Sequence, residues 1–390
     1  MSVRARSRGT RGRGRARPWT CTTFARAVAL TAVAAATAVV APATGAAATG
    51  GHAPAWEVSE AGGLSTNAHL SSVSAAGPRA AWAVGHQSFD SVPDGVILRW
   101  KDGTWHQDRT AGLPQVNYWH SVDAVSPRDV WAYGWSQTEK VAAHYDGRRW
   151  QRVPLPDDGA APQQGFAELA AVPGRAWLAG DHGLSTWSRG AWRTTDLPTG
   201  VSAEDVDART ADDAWAVGGF SYAGQESRPV ALHWDGEDWT EVPVPGTGLR
   251  LAQVYAESAR SVYATGYASP VGEEGYEPRV LHWDGRSWKD VTGPVGGLIP
   301  QAVNGDGRGN VWVSGDPDGW EGPPVFWRYD GKRWTEVDGA KVTGGATQAY
   351  NITDLAPLGR TGRFWAVGSY ELLVGESSSE GYELIERSTR

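Results

Sequence analysis

Apolar and aromatic residues recur along most of the chain in short runs, separated by polar and glycine-rich segments. The clearest run is an aromatic residue followed three positions later by glycine. It occurs seven times, at intervals of 38 to 53 residues, with the aromatic at Trp82, Trp131, Trp177, Trp215, Tyr263, Trp312 and Trp365. Repetition with this period is typical of repeat architectures, so the repeat has to be interpreted before any single residue.

Two further positions complete each repeat unit. An apolar residue stands about nine positions before the motif aromatic, as at Val73 and Val122, with Leu169 and Leu355 one residue out of register. Roughly eighteen positions after most copies, Asp-Gly lies between an aromatic residue and a tryptophan, which predicts a tight hairpin. One copy has Ser-Arg-Gly instead. Each unit therefore predicts four short strands, the content of a propeller blade.

The last unit lacks a fourth strand in the repeat order. It offers strands at 352–356, 364–370 and 382–387, after which the sequence ends. Early in the chain, Trp56-Glu57-Val58 matches fourth-strand sequences such as Trp239-Thr240-Glu241-Val242. The sequence therefore predicts an all-β, seven-bladed β-propeller over residues 49–390, in which residues 54–60 complete the last blade and remove its open edge.

The first 48 residues have the pattern of a secretory signal peptide. Basic residues occupy 4–26, an apolar run covers 27–40, and small residues stand at 46–48, where cleavage would occur. The apolar run is shorter than the roughly 20 residues that span a bilayer, although an uncleaved anchor remains the alternative. We therefore expect a secreted, extracellular protein.

The amino-acid composition limits the kinds of site and partner that the predicted propeller can have. The single cysteine, Cys21, lies in the predicted signal, so the propeller has neither a disulfide nor a cysteine nucleophile. The formal charge is −8 and becomes −16 without the eight arginines that precede Glu57, which argues against a nucleic-acid partner. Most of the 22 tryptophans fall at repeat positions and are expected in the core. His144, His233 and His282 share one repeat position, which favours a place on the blades over a metal site.

The Trp-Ala-Val-Gly and Trp-Asp-Gly-x-x-Trp signatures resemble the Trp-rich propeller repeats of secreted actinobacterial proteins and, more loosely, tectonin-type repeats. The resemblance covers the whole predicted mature chain and implies a propeller similar in architecture to galactose-oxidase and kelch domains. The kelch Gly-Gly pair is not repeated in this sequence, and the Cys-Tyr cross-link of a galactose-oxidase active site would need a cysteine in the propeller. The shared motifs are structural, so they imply a fold and not an activity.

Candidate binding residues lie in the connections between second and third strands, which share one end of the ring with the connections between blades. We call this end the loop face. Its second-to-third-strand connections carry a net charge of −12, which indicates either a solvated acidic surface or attraction of a cationic partner. Aromatic residues that the repeat does not explain are candidate ligand contacts: Trp135, Tyr222, Tyr267, Tyr276, Trp320 and Tyr370. Asp316, Asp318 and Glu321 form a fragment of a Ca²⁺-loop pattern.

A second candidate site is the central channel. Aligned first strands place Glu168, Asp205 and Asp354 at one level, and paired carboxylates are what glycosidases require. A water-filled polar channel is the competing interpretation.

The sequence thus predicts a monomeric, non-catalytic propeller without an obligatory cofactor. It would bind an extracellular carbohydrate, peptide or protein at the loop face. The alternative is a carbohydrate-active hydrolase or lyase in the channel.

Overall fold

The computed structural model describes residues 56–61, 63–87, 93–156, 167–180, 183–222, 226–268, 276–296, 298–317, 322–342, 346–374 and 379–389. The predicted signal peptide lies outside these ranges, as do Asp318, Trp320 and Glu321. Within them the chain forms strands and one short 3-10 turn, Gly359–Thr361. No helix in the described ranges has the length and apolar character needed to cross a membrane.

Seven antiparallel four-stranded sheets account for all the strands. The first strand, β1 (Trp56–Val58), belongs to blade 7. Blade 1 contains β2 (His69–Ala75), β3 (Ala81–Gln87), β4 (Asp94–Lys101) and β5 (Thr104–Gln107). Blade 2 contains β6 (Tyr118–Ser126), β7 (Asp129–Trp135), β8 (Lys140–Tyr145) and β9 (Trp150–Val153). Blade 3 contains β10 (Glu168–Val172), β11 (Arg175–Gly180), β12 (Gly183–Ser188) and β13 (Ala191–Thr195).

The remaining blades repeat this order. Blade 4 contains β14 (Val201–Thr210), β15 (Asp213–Phe220), β16 (Arg228–Trp234) and β17 (Trp239–Glu241). Blade 5 contains β18 (Leu249–Ser258), β19 (Ser261–Ala268), β20 (Glu277–Trp283) and β21 (Trp288–Asp290). Blade 6 contains β22 (Leu298–Gly305), β23 (Val311–Pro317), β24 (Val325–Tyr329) and β25 (Trp334–Asp338). Blade 7 contains β26 (Thr347–Pro357), β27 (Phe364–Leu373) and β28 (Ser379–Ser388). The predicted fold is confirmed.

Strand β1 closes the ring as predicted. Trp56 pairs with Ser388 and Val58 with Glu386, so β1 becomes the outer strand of blade 7. The Trp56 ring stacks on Phe326 at 4.0 Å and meets Trp312 edge-on at 6.0 Å. A strand from the start of the propeller therefore joins blade 7 and also packs against blade 6.

The motif aromatics interlock neighbouring blades. The Trp365 ring of blade 7 lies 4.7 Å from Trp100 and 5.1 Å from Trp105, the two hairpin aromatics of blade 1. Trp215 of blade 4 makes the same contacts with Trp283 and Trp288 of blade 5. Aromatic pairs in edge-to-face geometry contribute beyond their buried area, which explains why the repeat retains aromatics at both positions.

The glycine of the motif is required by close backbone approach. A Cβ on Gly85 would lie 1.9 Å from the carbonyl oxygen of His69, and one on Gly218 would lie 2.1 Å from that of Ser202. Equivalent clashes occur at Gly134, Gly266, Gly315 and Gly368. Only glycine fits where the second strand meets the irregular start of the first.

The hairpins between third and fourth strands are of two kinds. In blade 1, Asp102 and Gly103 both have positive φ, as a two-residue hairpin turn requires. In blades 2, 4, 5 and 6 the turn is longer, and an aspartate accepts two backbone amide hydrogen bonds at 2.7–3.0 Å. These aspartates are Asp146, Asp235, Asp284 and Asp330. The end opposite the loop face is therefore built from short, internally bonded turns.

Leu169 and Leu355, which are one residue out of register in the sequence, are first-strand residues in the structure. Leu169 pairs with Leu178 and Leu355 with Ala366, each opposite the residue after the motif tryptophan, as Val73 is opposite Ala83. Both leucines therefore occupy the regular first-strand position. The irregular spacing has two causes: blade 7 has a longer connection between its first two strands, and blade 3 lacks the bulge that lies between Ala208 and Thr210 in blade 4.

The histidines at the shared repeat position are part of the blades. The Nε2 atoms of His144 and His233 lie 2.8 Å and 3.1 Å from carboxylate oxygens of Asp129 and Asp213. His282 lies 3.0 Å from the hydroxyl of Ser261. Each imidazole also packs on the motif aromatic of its own blade, with ring centroids 4.4–4.7 Å apart. The geometry agrees with the interpretation of these histidines as blade residues.

Candidate functional site

The first strands line a central cavity of about 140 Å³. The described residues that line it include five carboxylates and no lysine, arginine or histidine. The carboxylates are Asp123, Glu168, Asp205, Asp207 and Asp354. Glu168, Asp205 and Asp354, the proposed catalytic group, thus face the same cavity.

Most of these carboxylates hold neighbouring blades together. Asp354 of blade 7 accepts hydrogen bonds from the Val73 amide at 2.8 Å and the Ser72 hydroxyl at 2.9 Å, both in blade 1. Asp205 of blade 4 accepts the Val254 amide of blade 5 at 2.7 Å. Asp123 and Asp207 accept the amides of Ala171 and Ala256 in the same way. This pattern explains the acidic first strands through inter-blade bonding, without a need for catalysis.

Burial makes these aspartic acids weaker than exposed ones, because it raises their pKa values. Burial raises the pKa of Asp354 to about 7, although hydrogen bonds from Val73 and Ser72 oppose the shift and the charge of Glu168 adds to it. Burial, followed by the charge of Glu168, raises the pKa of Asp205 well above its ordinary value. The pKa values of Asp123 and Asp207 rise to about 6 for the same main reason. The channel can therefore retain protons near neutral pH.

The loop-face mouth of the channel is formed by a repeated β-bulge. In six blades the first strand contains one extra residue directly after the residue that pairs with the motif glycine. The extra residues are Ser71, His120, Glu204, Ala252, Gln301 and Thr353. Bulges often re-aim side chains beside functional sites. This position differs in all six blades, whereas the position two residues later is Val or Leu in each.

Several bulge side chains bond to polar partners. His120 Nε2 lies 3.0 Å from Glu168 Oε1, and Thr353 donates to the Leu70 carbonyl oxygen at 2.7 Å. Glu204 forms an ion pair with Arg250. The mouth therefore presents a varied set of hydrogen-bonding groups above an acidic channel.

Near this mouth, contacts of histidine and aromatic side chains connect blades 7, 1 and 2. The sequence pattern did not predict these residues as part of a site. His69 Nδ1 lies 3.1 Å from the Ser369 hydroxyl, and its ring lies 5.7 Å from that of His86. The His86 ring meets Tyr118 edge-on at 4.8 Å. Burial, followed by a neighbouring histidine, lowers the pKa values of His69 and His86 to about 4. These contacts join strands far apart in sequence, so no local motif indicated them.

The predicted binding aromatics divide into exposed and packed residues. Tyr222 is 51% exposed and Tyr276 is 59% exposed, and Tyr267 meets Tyr276 edge-on at 5.0 Å. Trp135 is buried and stacks on Tyr118 at 5.0 Å. Tyr370 stacks on Tyr382 at 5.4 Å. The structure therefore leaves the predicted contacts of blades 4 and 5 open to solvent.

Asp316, the described member of the predicted Ca²⁺ fragment, already has polar partners. Its carboxylate accepts hydrogen bonds from the side-chain amides of Gln301 and Asn351. In the part of the chain that the structure describes, no three His, Cys, Asp or Glu side chains are grouped to hold a metal ion. Calcium binding stays a prediction.

Comparison with solved structures places the chain among β-propellers. The structure of YCF48 bound to D1 peptide matches with a TM-score of 0.57 and 17% identity, over 87% of this chain and 98% of that one. The GH74 xyloglucanase from Xanthomonas campestris matches with a TM-score of 0.52 and 16% identity, over 84% of this chain and 55% of that one. Raptor from Chaetomium thermophilum matches with a TM-score of 0.51 and 11% identity, over 86% and 29%.

No protein-family model and no curated protein matches the sequence. The structural neighbours share a fold and include both a peptide-bound protein and a glycoside hydrolase, so the similarity itself assigns no activity.

Proposed function

We propose that this protein is a secreted, non-catalytic propeller that binds an extracellular peptide, protein or carbohydrate at its loop face. The observation that carries the proposal is the position of exposed apolar side chains. The described large apolar residues with the greatest exposure are Val58, Tyr222, Tyr276, Leu373 and Val374. All except Val58 lie in or beside connections between second and third strands. Exposed apolar surface concentrated at one end is typical of an interaction site.

The two ends of the ring differ in a way that supports this assignment. The opposite end consists of short turns whose amides are bonded by the turn aspartates. The loop face has longer connections and the varied mouth of the channel. Binding residues are commonly carried on loops that a rigid scaffold positions. YCF48, which shares this fold, was solved with a bound peptide, so the architecture is compatible with peptide recognition.

The test is a glycan and peptide array, run with and without EDTA, followed by affinity measurements on single variants. We expect Tyr222→Ala or Tyr276→Ala to weaken binding by about tenfold, because aromatic anchors dominate most interfaces. Arg286→Ala, at an exposed turn on the opposite end, is the control and should leave the affinity unchanged. Loss of binding with EDTA would support the calcium prediction. If all substitutions of exposed loop-face residues, including both tyrosine variants and changes at Leu373 and Val374, leave binding like that of the parent, the loop-face assignment is wrong.

A carbohydrate-active hydrolase or lyase is the second candidate, because Glu168, Asp205 and Asp354 line a single cavity. The xyloglucanase neighbour shows that a propeller fold can occur in a hydrolase. Asp205 and Asp354 are engaged by backbone amides, which leaves Glu168, bonded to His120, as the first residue to test. Activity on a polysaccharide panel that Glu168→Gln abolishes without a change in stability would establish this candidate. No turnover by the parent protein would exclude it for the substrates in that panel.

A further inference from the structure

Among the residues that the structure describes, the strands of blade 7 extend furthest at the loop face. Strand β27 continues five residues past its motif glycine, Gly368, to Leu373, whereas the described residues of its counterparts continue by two at most. Strands β26 and β28 extend with it, and Thr347 pairs with Leu372 while Leu373 pairs with Ser379. At about 3.3 Å per residue, the three extra residues of β27 add about 10 Å. The sequence pattern predicts shorter strands, at 364–370 and 382–387, and therefore no such projection.

The projection ends in apolar surface. Leu373 is 44% exposed and Val374 is 52% exposed. Beneath them, Tyr370 lies between Tyr350 at 6.2 Å and Tyr382 at 5.4 Å, a row of rings that braces the three strands. The exposed pair therefore sits on a sheet that is ordered by its own side-chain contacts.

The same projection carries only negative charge. Glu371, Glu380 and Glu383 lie on its strands, and β26, β27 and β28 contain no lysine or arginine before Arg387. Among the residues that the structure describes, no ion pair joins these glutamates to a basic side chain. Glu371 instead accepts a hydrogen bond from Ser379, and Glu380 from Tyr382.

Nearby groups leave this charge uncompensated. His69, bonded to Ser369 on the blade 1 side, is neutral at pH 7 because burial lowers its pKa to about 4. Lys341, on the connection from blade 6, is exposed and forms no described ion pair. Burial raises the pKa of Glu383 to about 7, as expected for a carboxylate that lacks a cation.

We propose that the projecting end of blade 7 docks a basic peptide segment, with apolar side chains on Leu373 and Val374 and lysine or arginine side chains on Glu371 and Glu383, which share one face of the sheet with Leu373. This proposal rests on the loop-face binding function and narrows it to one blade and one partner chemistry. Charge complementarity selects the partner, because an acidic peptide would be repelled and a neutral glycan would leave the glutamates unpaired. The apolar pair supplies the surface that a bound segment removes from water.

The test uses fluorescein-labelled decapeptides and fluorescence anisotropy with the full-length protein. One peptide alternates lysine with leucine, a second replaces lysine by glutamate, and a third replaces leucine by serine. We expect only the first to bind tightly, with an affinity that falls as sodium chloride rises from about 50 to about 300 mM.

Variants then locate the site. The double variant Leu373→Ser/Val374→Ser and the double variant Glu371→Gln/Glu383→Gln should each weaken binding of the lysine-leucine peptide by about tenfold. The charge-matched control Glu237→Gln/Asp238→Asn, at a turn on the opposite end, should change it by less than about twofold. Melting temperatures close to that of the parent protein would show that the variants fold.

The possible results distinguish failure of the blade 7 proposal from failure of the loop-face binding function. If Tyr222→Ala/Tyr276→Ala abolishes peptide binding and the blade 7 variants do not, the loop-face function stands and the blade 7 proposal is wrong. If the charge-matched control weakens binding as much as the blade 7 variants, attraction is non-specific and the proposal is also wrong. If neither peptides nor glycans bind, both proposals fail.

Discussion

Replacing Trp56 by alanine tests how much the closure of the ring by β1 contributes to the free energy of unfolding. The Trp56 side chain is 7% exposed and packs between Phe326 and Trp312 of blade 6. Burying roughly 200 Å² at about 25 cal/mol per Å² corresponds to about 5 kcal/mol. Tryptophan-to-alanine changes in cores cost about 3–5 kcal/mol. We therefore expect Trp56→Ala to lower the free energy of unfolding by about 4 kcal/mol in urea denaturation.

A matched variant in blade 5 distinguishes the effect of propeller closure from the general effect of losing a buried indole side chain. Trp288 holds the same fourth-strand position in blade 5 and meets Trp215 edge-on at 5.6 Å, as Trp56 meets Trp312. Trp288→Ala should cost a similar free energy, but hydrogen exchange should then accelerate in blade 5. In Trp56→Ala the acceleration should centre on β28, whose Ile385 carbonyl oxygen accepts the Ser59 amide.

A loss below about 1 kcal/mol for Trp56→Ala, with unchanged exchange in β28, would show that the other contacts of blade 7 suffice to hold it. That result would refute the reasoning from burial and pairing.

Two further variants test the channel and the motif glycine. Because the pKa of Asp354 is raised to about 7 in the folded protein, its stability contribution is present at low pH and is lost as the pH rises through that value. The stability of Asp354→Asn relative to the parent should therefore increase by about 2–3 kcal/mol between about pH 5 and pH 8 in urea titrations, and a flat difference would contradict the assignment. Gly218→Ala should cost about 3 kcal/mol because its Cβ would meet the Ser202 carbonyl oxygen, whereas Gly296→Ala, with open space around it, should be nearly neutral in thermal melts. Equal melting temperatures for the two glycine variants would refute the clash argument.

The propeller could be predicted from the sequence because its strand and turn motifs are short and recur in every blade. Trp56 could be assigned to a fourth strand from its own neighbours, since the same short pattern occurs at Trp239 and Trp334. The β-bulge at His120 could not be predicted, because it depends on how the first strand pairs across to the second. Periodicity along a single strand carries no information about such pairing.

The candidate site was predicted only in part for the same reason. Tyr222 and Tyr276 are exposed loop aromatics, as their lack of a repeat position suggested. Trp135 has the same sequence signature but stacks on Tyr118 from the neighbouring first strand. The contact between His69 and Ser369 joins blades 1 and 7, residues that are adjacent only once the ring has closed.

Ring closure by β1 also sets an order of events during folding. Trp56 is synthesised well before its stacking partner Phe326 and its pairing partner Ser388, because both lie far downstream in the sequence. Contacts between such distant segments slow folding and leave strands unpaired in the meantime. Strand β1 therefore has no partner strand until β28 has been synthesised. A chaperone that covers unpaired strands would have most effect during this interval.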